Sequence, residues 1–473
     1  MRSRRQRIHA DIARALVERF SDQIEAAPAV IARHYTEAGL HEPAARYWLK
    51  AAELSLSRSA PVEADRYIDA GLALIPRLTD GPDRQSLELA LRVARTNALL
   101  PLKGYTAPET VAALTAAKRL LDAGVGTGLQ RFSVLYGLCA ANYIAAQHEL
   151  ALALARQIVE IADRQDDTTC RLVGHRQLAT VQVLMGQHRE ALESLQRAER
   201  DRDPNRQRLL SYRFGYDPGL AVLCWKICAL VLLGLFDQAA RVSENVRVEL
   251  PSHSHAPTVA ACRSLAEAYP QLWSGDYEAC ERHSAEIVAY CTEKKVEQFR
   301  LLGAAVHACA RAMREPTQEN IAAIRATIDA GHRSGGHVNN CIFLSFLAEA
   351  LLGAGDVTGA EATLQGAFAF AEQSGERYWL ADLHRLDGQV ALKRPEPDRA
   401  RAEACFLQAI DVARSQEGRM LELRAAIDLA RLWHDTGSGR DPRALLEPIL
   451  AAIEGGGTTR DVRNARALLA ELV

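Results

Sequence analysis

One pattern of helix-ending and helix-starting residues returns along this chain, and it limits the fold more than any other feature of the sequence. Val183–Leu195, with the sequence VLMGQHREALESL, passes from an apolar segment through Gly186 into an amphipathic segment. A glycine that ends one helix, followed by polar residues and a second helix, is typical of a helical hairpin. Similar turns begin at Gly39, Gly234, Gly275 and Gly355. The chain is therefore predicted to consist of repeated hairpins.

The spacing of the turns predicts the length of the repeat. From Gly186 to Gly355 the four turn glycines are 48, 41 and 80 residues apart, which indicates a unit of about 40 residues. Apolar residues recur at helical spacing, as in Ala191, Leu195 and Ala198, whereas few stretches alternate as strands do. We therefore predict an all-α fold, a right-handed α-solenoid of stacked helical hairpins that is tetratricopeptide-like with a period of about 40 residues.

A small residue follows each turn at a nearly constant distance, which predicts where two helices approach closely. A helix nests against its partner only where no large side chain stands between them. The small residues are Ala44, Ala191, Ala239 and Ala360, five residues after the glycine, and Ala279, four residues after it. Proline and glycine mark the larger divisions. Residues 1–82 are predicted to form an N-terminal helical segment that ends in the linker Pro76–Pro82, and residues 83–473 the tetratricopeptide-like α-solenoid.

Composition limits the classes of partner and the compartment. The formal net charge of −2 provides no overall basic field, so we expect no nucleic-acid partner. No run of 18 apolar residues occurs, and the basic start passes directly into an amphipathic helix, so neither a membrane span nor a secretory leader is expected. Ten cysteines are widely spaced without a CxxC pair, as in reduced cytosolic proteins. The chain is predicted to be cytoplasmic.

Three patterns resemble chemical sites but lack residues that the chemistry requires. Gly124–Gly128 lacks both the third glycine of a dinucleotide loop and the lysine of a phosphate loop. His253 and His255 lie in a loop between prolines, whereas a zinc site needs three or four protein ligands. Cys224 and Cys228 lie four residues apart among leucine and valine, a setting typical of core packing. We predict no catalytic residue, no cofactor and no metal site, and hence no enzyme.

Two groups of aromatic residues are the best candidates for a partner-binding face. Large aromatic and arginine side chains on the inner helices of a superhelix anchor bound peptides on its concave surface. The same side chains also fill the gaps between stacked hairpins, so a packing role is the alternative. The predicted face consists of Tyr212, Tyr216, Arg377, Tyr378, Trp379 and His384.

A series of segments resembles a known family. The first are His34–Leu40 (HYTEAGL) and Ala45–Trp48 (ARYW). The further segments are Leu102–Glu109, Tyr216–Gly219, Gly375–Trp379, His384–Leu386, Ala402–Phe406, Leu421–Ala426 and Ala430–Trp433. In this order they resemble the C-terminal helical region of bacterial regulators that join a class III adenylate/guanylate cyclase domain to a signal-transduction ATPase and a tetratricopeptide-like tail. One departure is Gln298–Leu302, which is less aromatic than the family pattern.

The resemblance implies a regulatory function. Neither a GxxxxGKS/T phosphate loop nor a counterpart of the cyclase domain occurs in this chain, and residues 1–82 resemble the junction to the ATPase module. We expect a non-catalytic scaffold that binds a protein segment or a small effector, with an ATPase or cyclase in trans as a further partner. The alternatives are a piece of a cyclase or ATPase whose catalytic domains lie outside this chain, and the tail of a transcriptional regulator.

Overall fold

The structure is a computed structural model that describes residues 2–19, 27–58, 60–165, 167–208 and 210–472. Within these ranges the chain forms helices and no β-strand, apart from one isolated bridge between Leu235 and Glu454. The all-α prediction is confirmed. None of the helices in the described ranges is both long and apolar enough to span a lipid bilayer.

The chain divides into two compact units, and the first comprises Met1–Ala141. Its core includes Ile31, Tyr35 and Trp48. Its helices are α1 (Arg2–Arg19), α2 (Pro28–Ala38), α3 (His41–Ser57), α4 (Pro61–Leu72), α5 (Pro82–Lys103), α6 (Pro108–Asp122) and α7 (Gly128–Ile144), the last of which extends past the unit border. The predicted boundary after residue 82 falls inside this unit, between α4 and α5, which pack against each other. As a domain border it stays a prediction.

The second unit, Asn142–Val473, contains the remaining helices. Most of the longer helices pack against the next long helix along the chain, and several also contact the next but one, as stacked hairpins do. The helices up to residue 249 are α8 (His148–Arg164), α9 (Thr168–Leu184), α10 (His188–Arg200), α11 (Pro204–Arg208), α12 (Ser211–Phe214), α13 (Pro218–Leu232) and α14 (Phe236–Glu249). The later helices are α15 (Ala256–Arg263), α16 (Tyr269–Ser274), α17 (Tyr277–Lys294), α18 (Glu297–Arg314), α19 (Gln318–Arg333), α20 (Asn340–Gly353), α21 (Val357–Ser374), α22 (Leu380–Lys393), α23 (Arg399–Ser415), α24 (Arg419–Thr436), α25 (Pro442–Ala451) and α26 (Arg460–Glu471).

The turns have the form that the sequence predicts. All five turn glycines adopt a positive φ, between 75° and 81°, which residues with a Cβ atom rarely adopt. The alanines five residues after the turn glycine are buried at Ala44, Ala191, Ala239 and Ala360. After Gly275 the buried residue at this distance is Cys280, and Ala279 is half-exposed. The helix that follows this turn thus uses a cysteine where the other hairpins use alanine.

The second unit coils so that hairpin turns meet later parts of the chain. The carbonyl of Ile144 accepts a hydrogen bond from the backbone N–H of His337 at 2.8 Å. The carbonyl of Leu184 accepts one from Arg377 at 2.9 Å. Each donor lies 193 residues after its acceptor, which is close to five repeats of about 40 residues. Because the two pairs are themselves 40 residues apart, the contact repeats in register with the hairpins.

A third contact of this kind lies further along the unit. The N–H of Glu454 donates to the carbonyl of Gly234 at 2.9 Å, and the carbonyl of Glu454 accepts from Phe236 at 2.9 Å. One turn also approaches a later side chain closely, since a Cβ atom at Gly186 would lie 2.6 Å from Nε2 of Gln416. These contacts close the coil laterally and bring the inner helices of distant hairpins together.

Candidate functional site

Two residues of the predicted partner-binding face, Tyr378 and Trp379, lie in the interior of the second unit. Their exposed fractions are 1% and 0%. The indole ring of Trp379 lies 5.8 Å from that of Trp273, and its Nε1 donates to Ser345 Oγ at 3.1 Å and to Asp382 Oδ2 at 3.2 Å. In this structure the two rings therefore have the packing role. A partner-binding role for them stays a prediction that requires this interior to open.

The second aromatic group contains Tyr216 and Tyr212. Tyr216 is half-buried, meets the ring of Phe299 edge-on at 6.3 Å and has the guanidinium group of Arg176 at 5.8 Å from its ring. The side chain of Tyr212 lies outside the described residues. Tyr216 is thus held in place by its neighbours while part of its surface faces solvent.

Arg377 and His384 supply further accessible surface. The side chain of Arg377 is exposed, while its carbonyl accepts a hydrogen bond from Gln416 Nε2 at 2.8 Å. His384, on α22, is half-buried with its ring 4.9 Å from that of Phe368, and burial lowers the pKa of its imidazole. Of the predicted residues, Tyr216, Arg377 and His384 have side-chain surface that a partner can contact.

A buried network of charged residues surrounds Trp379, and no motif in the sequence predicts it. Asp382 lies 2.7 Å from Arg385 and 3.4 Å from Arg424, and Arg424 lies 2.9 Å from Asp461. The side chains of all four are at most 8% exposed. Burial acts to raise the pKa of Asp382, but the two guanidinium groups outweigh it and hold this pKa below its usual range. Asp382 is therefore a charged carboxylate at neutral pH.

The network connects helices that are distant in the sequence. Arg385 on α22 also contacts Glu349 on α20 and Asp428 on α24, both at 3.1 Å. Arg424 donates to the backbone carbonyl of Trp273, 151 residues earlier, at 2.5 Å. These bonds connect α20, α22 and α24 with residue Trp273 in the interior of the second unit.

Two of the helices that follow hairpin turns begin with a buried histidine. His148 begins α8 and His188 begins α10, and both side chains are fully buried. Neither ring nitrogen of His188 has a hydrogen-bond partner within the described ranges. Burial lowers the pKa of His188 to about 4, and the nearby carboxylate of Glu417 offsets only part of this effect. His188 is therefore neutral in the folded chain at pH 7.

Acidification is expected to destabilise the second unit through His188. The unfolded chain protonates this imidazole near pH 6.5, and the folded chain does so only near pH 4. The stabilising contribution is thus complete above pH 6.5 and is lost as the pH falls towards 4, by up to roughly 3 kcal/mol. Urea denaturation between pH 4 and 7 measures it. His188→Leu should flatten the dependence, and the control His434→Gln, at an exposed position, should not; equal slopes in all three proteins would contradict this account.

An open groove lies on the second unit where hairpin stacking is interrupted. Elsewhere the second helix of a hairpin packs along the first helix of the next hairpin, as α17 packs along α18. By contrast, α14 approaches the next helical segment, residues 256–274, chiefly at its π turn Ser264–Ala268. The remaining gap, bounded also by α17, has a volume of about 680 Å³. We call it the α14–α17 groove.

The floor of the α14–α17 groove is apolar and its rim is charged. Apolar lining residues are Ala240, Val246, Leu250, Pro251, Val259 and Ala266. The rim carries Glu244, Arg247, Arg263, Glu267 and Tyr290, and the inner end holds His253 and Cys262. This combination of an apolar floor with a few polar groups, at this volume, is typical of ligand-binding clefts.

The inner end of the groove contains a buried histidine that the sequence presented as a possible metal ligand. The side chain of His253 is fully buried, and neither ring nitrogen has a hydrogen-bond partner within the described part of the chain. Its Nε2 lies 3.9 Å from Oδ2 of Asp217, whose pKa is raised mainly by burial. Among the described residues, no group of three or more His, Cys, Asp and Glu side chains is arranged to hold a metal ion.

A solved structure shares this architecture. The crystal structure of a Rap protein complexed with Competence and Sporulation Factor matches 84% of this chain and 100% of its own, with a TM-score of 0.50 and 12% identity. The fold is a tetratricopeptide-like α-solenoid. At 12% identity the likeness concerns the fold alone. The apo forms of RapI and of the quorum sensor NprR from B. thuringiensis match 90% and 86% of this chain and 98% of each of their own, with TM-scores of 0.34 and 0.39 and identities of 12% and 11%.

One curated relative matches by sequence. Uncharacterized protein R02095 of Rhizobium meliloti (strain 1021) is 22% identical over 414 residues, which are 85% of this chain. The match spans only 39% of the length of that relative. No family profile matches the chain.

Proposed function

We propose that this chain is a non-catalytic repeat scaffold that binds a protein segment or a small effector in signal transduction. The tetratricopeptide-like solenoid carries the proposal, because stacked hairpins present extended surfaces to partners. The Rap protein of similar fold was crystallised in complex with Competence and Sporulation Factor. On this chain, the accessible surface of Tyr216, Arg377 and His384 supplies contacts for the partner.

The nature of the partner follows from the sequence resemblance. The segments that resemble cyclase–ATPase regulators support an ATPase or cyclase as the protein that receives the signal, in the cytoplasm, without nucleic acid or membrane. The matched region is 39% of the Rhizobium relative, which leaves room in that protein for such modules. The alternative is that this chain is a piece of a longer cyclase or ATPase. The genomic sequence around the reading frame distinguishes this alternative from the proposal.

Affinity purification of the full chain from its source organism tests the proposal. We expect the wild type to retain a protein that contains an ATPase or cyclase domain, identified by mass spectrometry. Arg377→Glu reverses a charge on the accessible surface and is expected to reduce recovery at least about tenfold, or roughly 1.4 kcal/mol of binding free energy. Arg333→Glu, the same change at an exposed position of α19, is the matched control.

Two results would contradict the proposal. Undiminished recovery of the same partner by Arg377→Glu, with an unchanged thermal unfolding midpoint, would remove Arg377 from the binding surface. Conversion of ATP to ADP or to cyclic AMP by the purified full chain would contradict the non-catalytic function itself. Tyr216→Ala and His384→Ala then show whether the remaining predicted residues belong to the same surface.

A further inference from the structure

The α14–α17 groove is a built feature of the fold, because its π turn is held by specific bonds. Cys228 Sγ donates to the carbonyl of Leu265 at 3.5 Å, and Cys280 Sγ donates to the carbonyl of Ala268 at 3.3 Å. Both thiols are fully buried. A π turn leaves carbonyl groups without their regular helical partners, and π turns occur frequently at functional sites. Here two thiols from neighbouring helices satisfy such carbonyls and maintain the distortion.

Two opposite charges, Arg263 and Glu267, lie on the rim at the π turn. Arg263 and Glu267 are four residues apart and would be neighbours on one face of a regular α-helix. Residues 264–268 form the π turn, and the guanidinium group of Arg263 lies 5.3 Å from the centre of the Tyr290 ring. Within the described residues neither Arg263 nor Glu267 has an oppositely charged group within 4.0 Å in an ion pair. The other two rim charges, Arg247 and Glu244, pair with each other, and Glu267 lies near enough to Arg247 to act on its pKa. Arg263 and Glu267 are therefore the rim charges that a ligand can pair with directly.

We propose that the α14–α17 groove binds a peptide segment of a partner protein that carries apolar side chains flanked by one acidic and one basic residue. The inference rests on the proposed function and specifies where the protein segment binds. The apolar side chains would contact Val246, Val259 and Ala266 on the floor. The acidic residue would pair with Arg263, and the basic residue with Glu267.

His253 supplies a polar contact at the inner end of this site. Its ring is buried, and neither ring nitrogen has a hydrogen-bond partner among the described residues. The ring can therefore donate a hydrogen bond to a peptide carbonyl or accept one from a peptide N–H. Leaving a buried polar group without a partner costs about 1–3 kcal/mol. A bound peptide group would satisfy this histidine, which gives the site a preference for peptide over a purely apolar molecule.

Synthetic peptides titrated into the full chain, followed by isothermal titration calorimetry, test the proposal. The probes are acetyl-Glu-Leu-Leu-Lys-amide, its uncharged form acetyl-Gln-Leu-Leu-Gln-amide and its polar form acetyl-Glu-Ser-Ser-Lys-amide. We expect the first peptide to bind at least about tenfold more tightly than either of the others, since it satisfies the floor and both rim charges. Arg263→Gln should reduce its advantage over the uncharged peptide, since only the pair with Glu267 remains, and should leave the affinity for the uncharged peptide unchanged.

A second variant blocks the floor. Ala266→Trp places a large side chain in the groove and is expected to weaken binding of acetyl-Glu-Leu-Leu-Lys-amide at least tenfold. Ala285→Trp, at an exposed position of α17, is the matched control and should bind as the wild type does. Thermal unfolding of both variants shows whether a loss of binding comes from a loss of fold. If Ala266→Trp does not fold, Arg263→Gln still tests the site.

Several outcomes would overturn the proposal. The uncharged peptide binding as tightly as the charged one would indicate an unselective apolar cleft. A concentration-dependent dimer that Ala266→Trp abolishes, seen by sedimentation, would make a second copy of the chain the occupant. If Ala266→Trp retains the partner that the wild type recovers and Arg377→Glu loses it, the groove assignment fails while the proposed function stands. If peptide binding depends on Arg263 but no partner is recovered, the groove assignment stands and the proposed function fails.

Discussion

Replacing Arg424 by alanine is expected to lower the free energy of unfolding of the second unit by about 3–5 kcal/mol. The guanidinium group is buried and holds Asp461 at 2.9 Å, Asp382 at 3.4 Å and the Trp273 carbonyl at 2.5 Å. Alanine would leave Asp461 with only the longer contact to Arg460 at 3.4 Å, and Asp382 with one guanidinium group, that of Arg385, in place of two. Removal of one partner of a buried ion pair is costly for this reason, even where the intact pair adds little to stability.

Urea denaturation followed by circular dichroism measures this effect. The matched control is Arg431→Ala on the same helix, α24, where the side chain is exposed and the expected change is within about 0.5 kcal/mol. Equal stability of the two variants would mean that the network around Asp382 does not hold the interior together. The lateral contacts between turns would then have to close the second unit unaided.

Replacing Trp379 by alanine is expected to cost a similar amount, about 3–5 kcal/mol, through the cavity that it leaves. The ring is fully buried, packs against Trp273 and Tyr378, and donates to Ser345 and Asp382. Trp379→Phe retains much of the apolar volume and should lose only the hydrogen-bonding part, about 1–3 kcal/mol. Denaturant midpoints of the three proteins separate the two contributions.

Trp379→Ala also decides whether Trp379 packs the interior or contacts a partner. Loss of stability without a change in the partners that the folded variant recovers is the result that its packing role predicts. Loss of the partner with unchanged stability would instead favour the partner-binding role and require the interior to open during binding. Trp433→Ala, at a half-buried position, is the control for the effect of removing a tryptophan and should cost less.

Much of the helical architecture could be predicted because it depends on residues close together in the chain. Gly186 and Gly234 mark turns by a positive φ that glycine adopts without steric cost, and Ala191 and Ala239 mark the close approach that follows each turn. Such signals act over one or two helical turns. The linker after Pro76 was less informative, because helices on both sides of a proline-rich turn can still share one core.

The candidate site was predicted less well. The sequence suggested Tyr378 and Trp379 as partner contacts, but an aromatic residue at a helix start has the same local pattern whether it faces a ligand or a neighbouring helix. The sequence presents His253 as a possible metal ligand, yet its position at the end of a groove depends on the distance between α14 and the next helix. The π turn has no local signature in Ser264–Ala268, since its carbonyls are satisfied by Cys228 and Cys280 from other helices.

The helices, their turns and the repeat of about 40 residues can be predicted from the amino-acid pattern, since hydrophobic spacing and glycine conformation act locally. The contacts of Ile144 with His337 and of Leu184 with Arg377, each 193 residues later, depend on the folded arrangement of the hairpins. The small rotation between successive hairpins accumulates along the array, and no single repeat encodes the sum. Contacts between residues far apart in the chain place Trp379 among charged side chains, and the distance between α14 and residues 256–274 leaves the α14–α17 groove open.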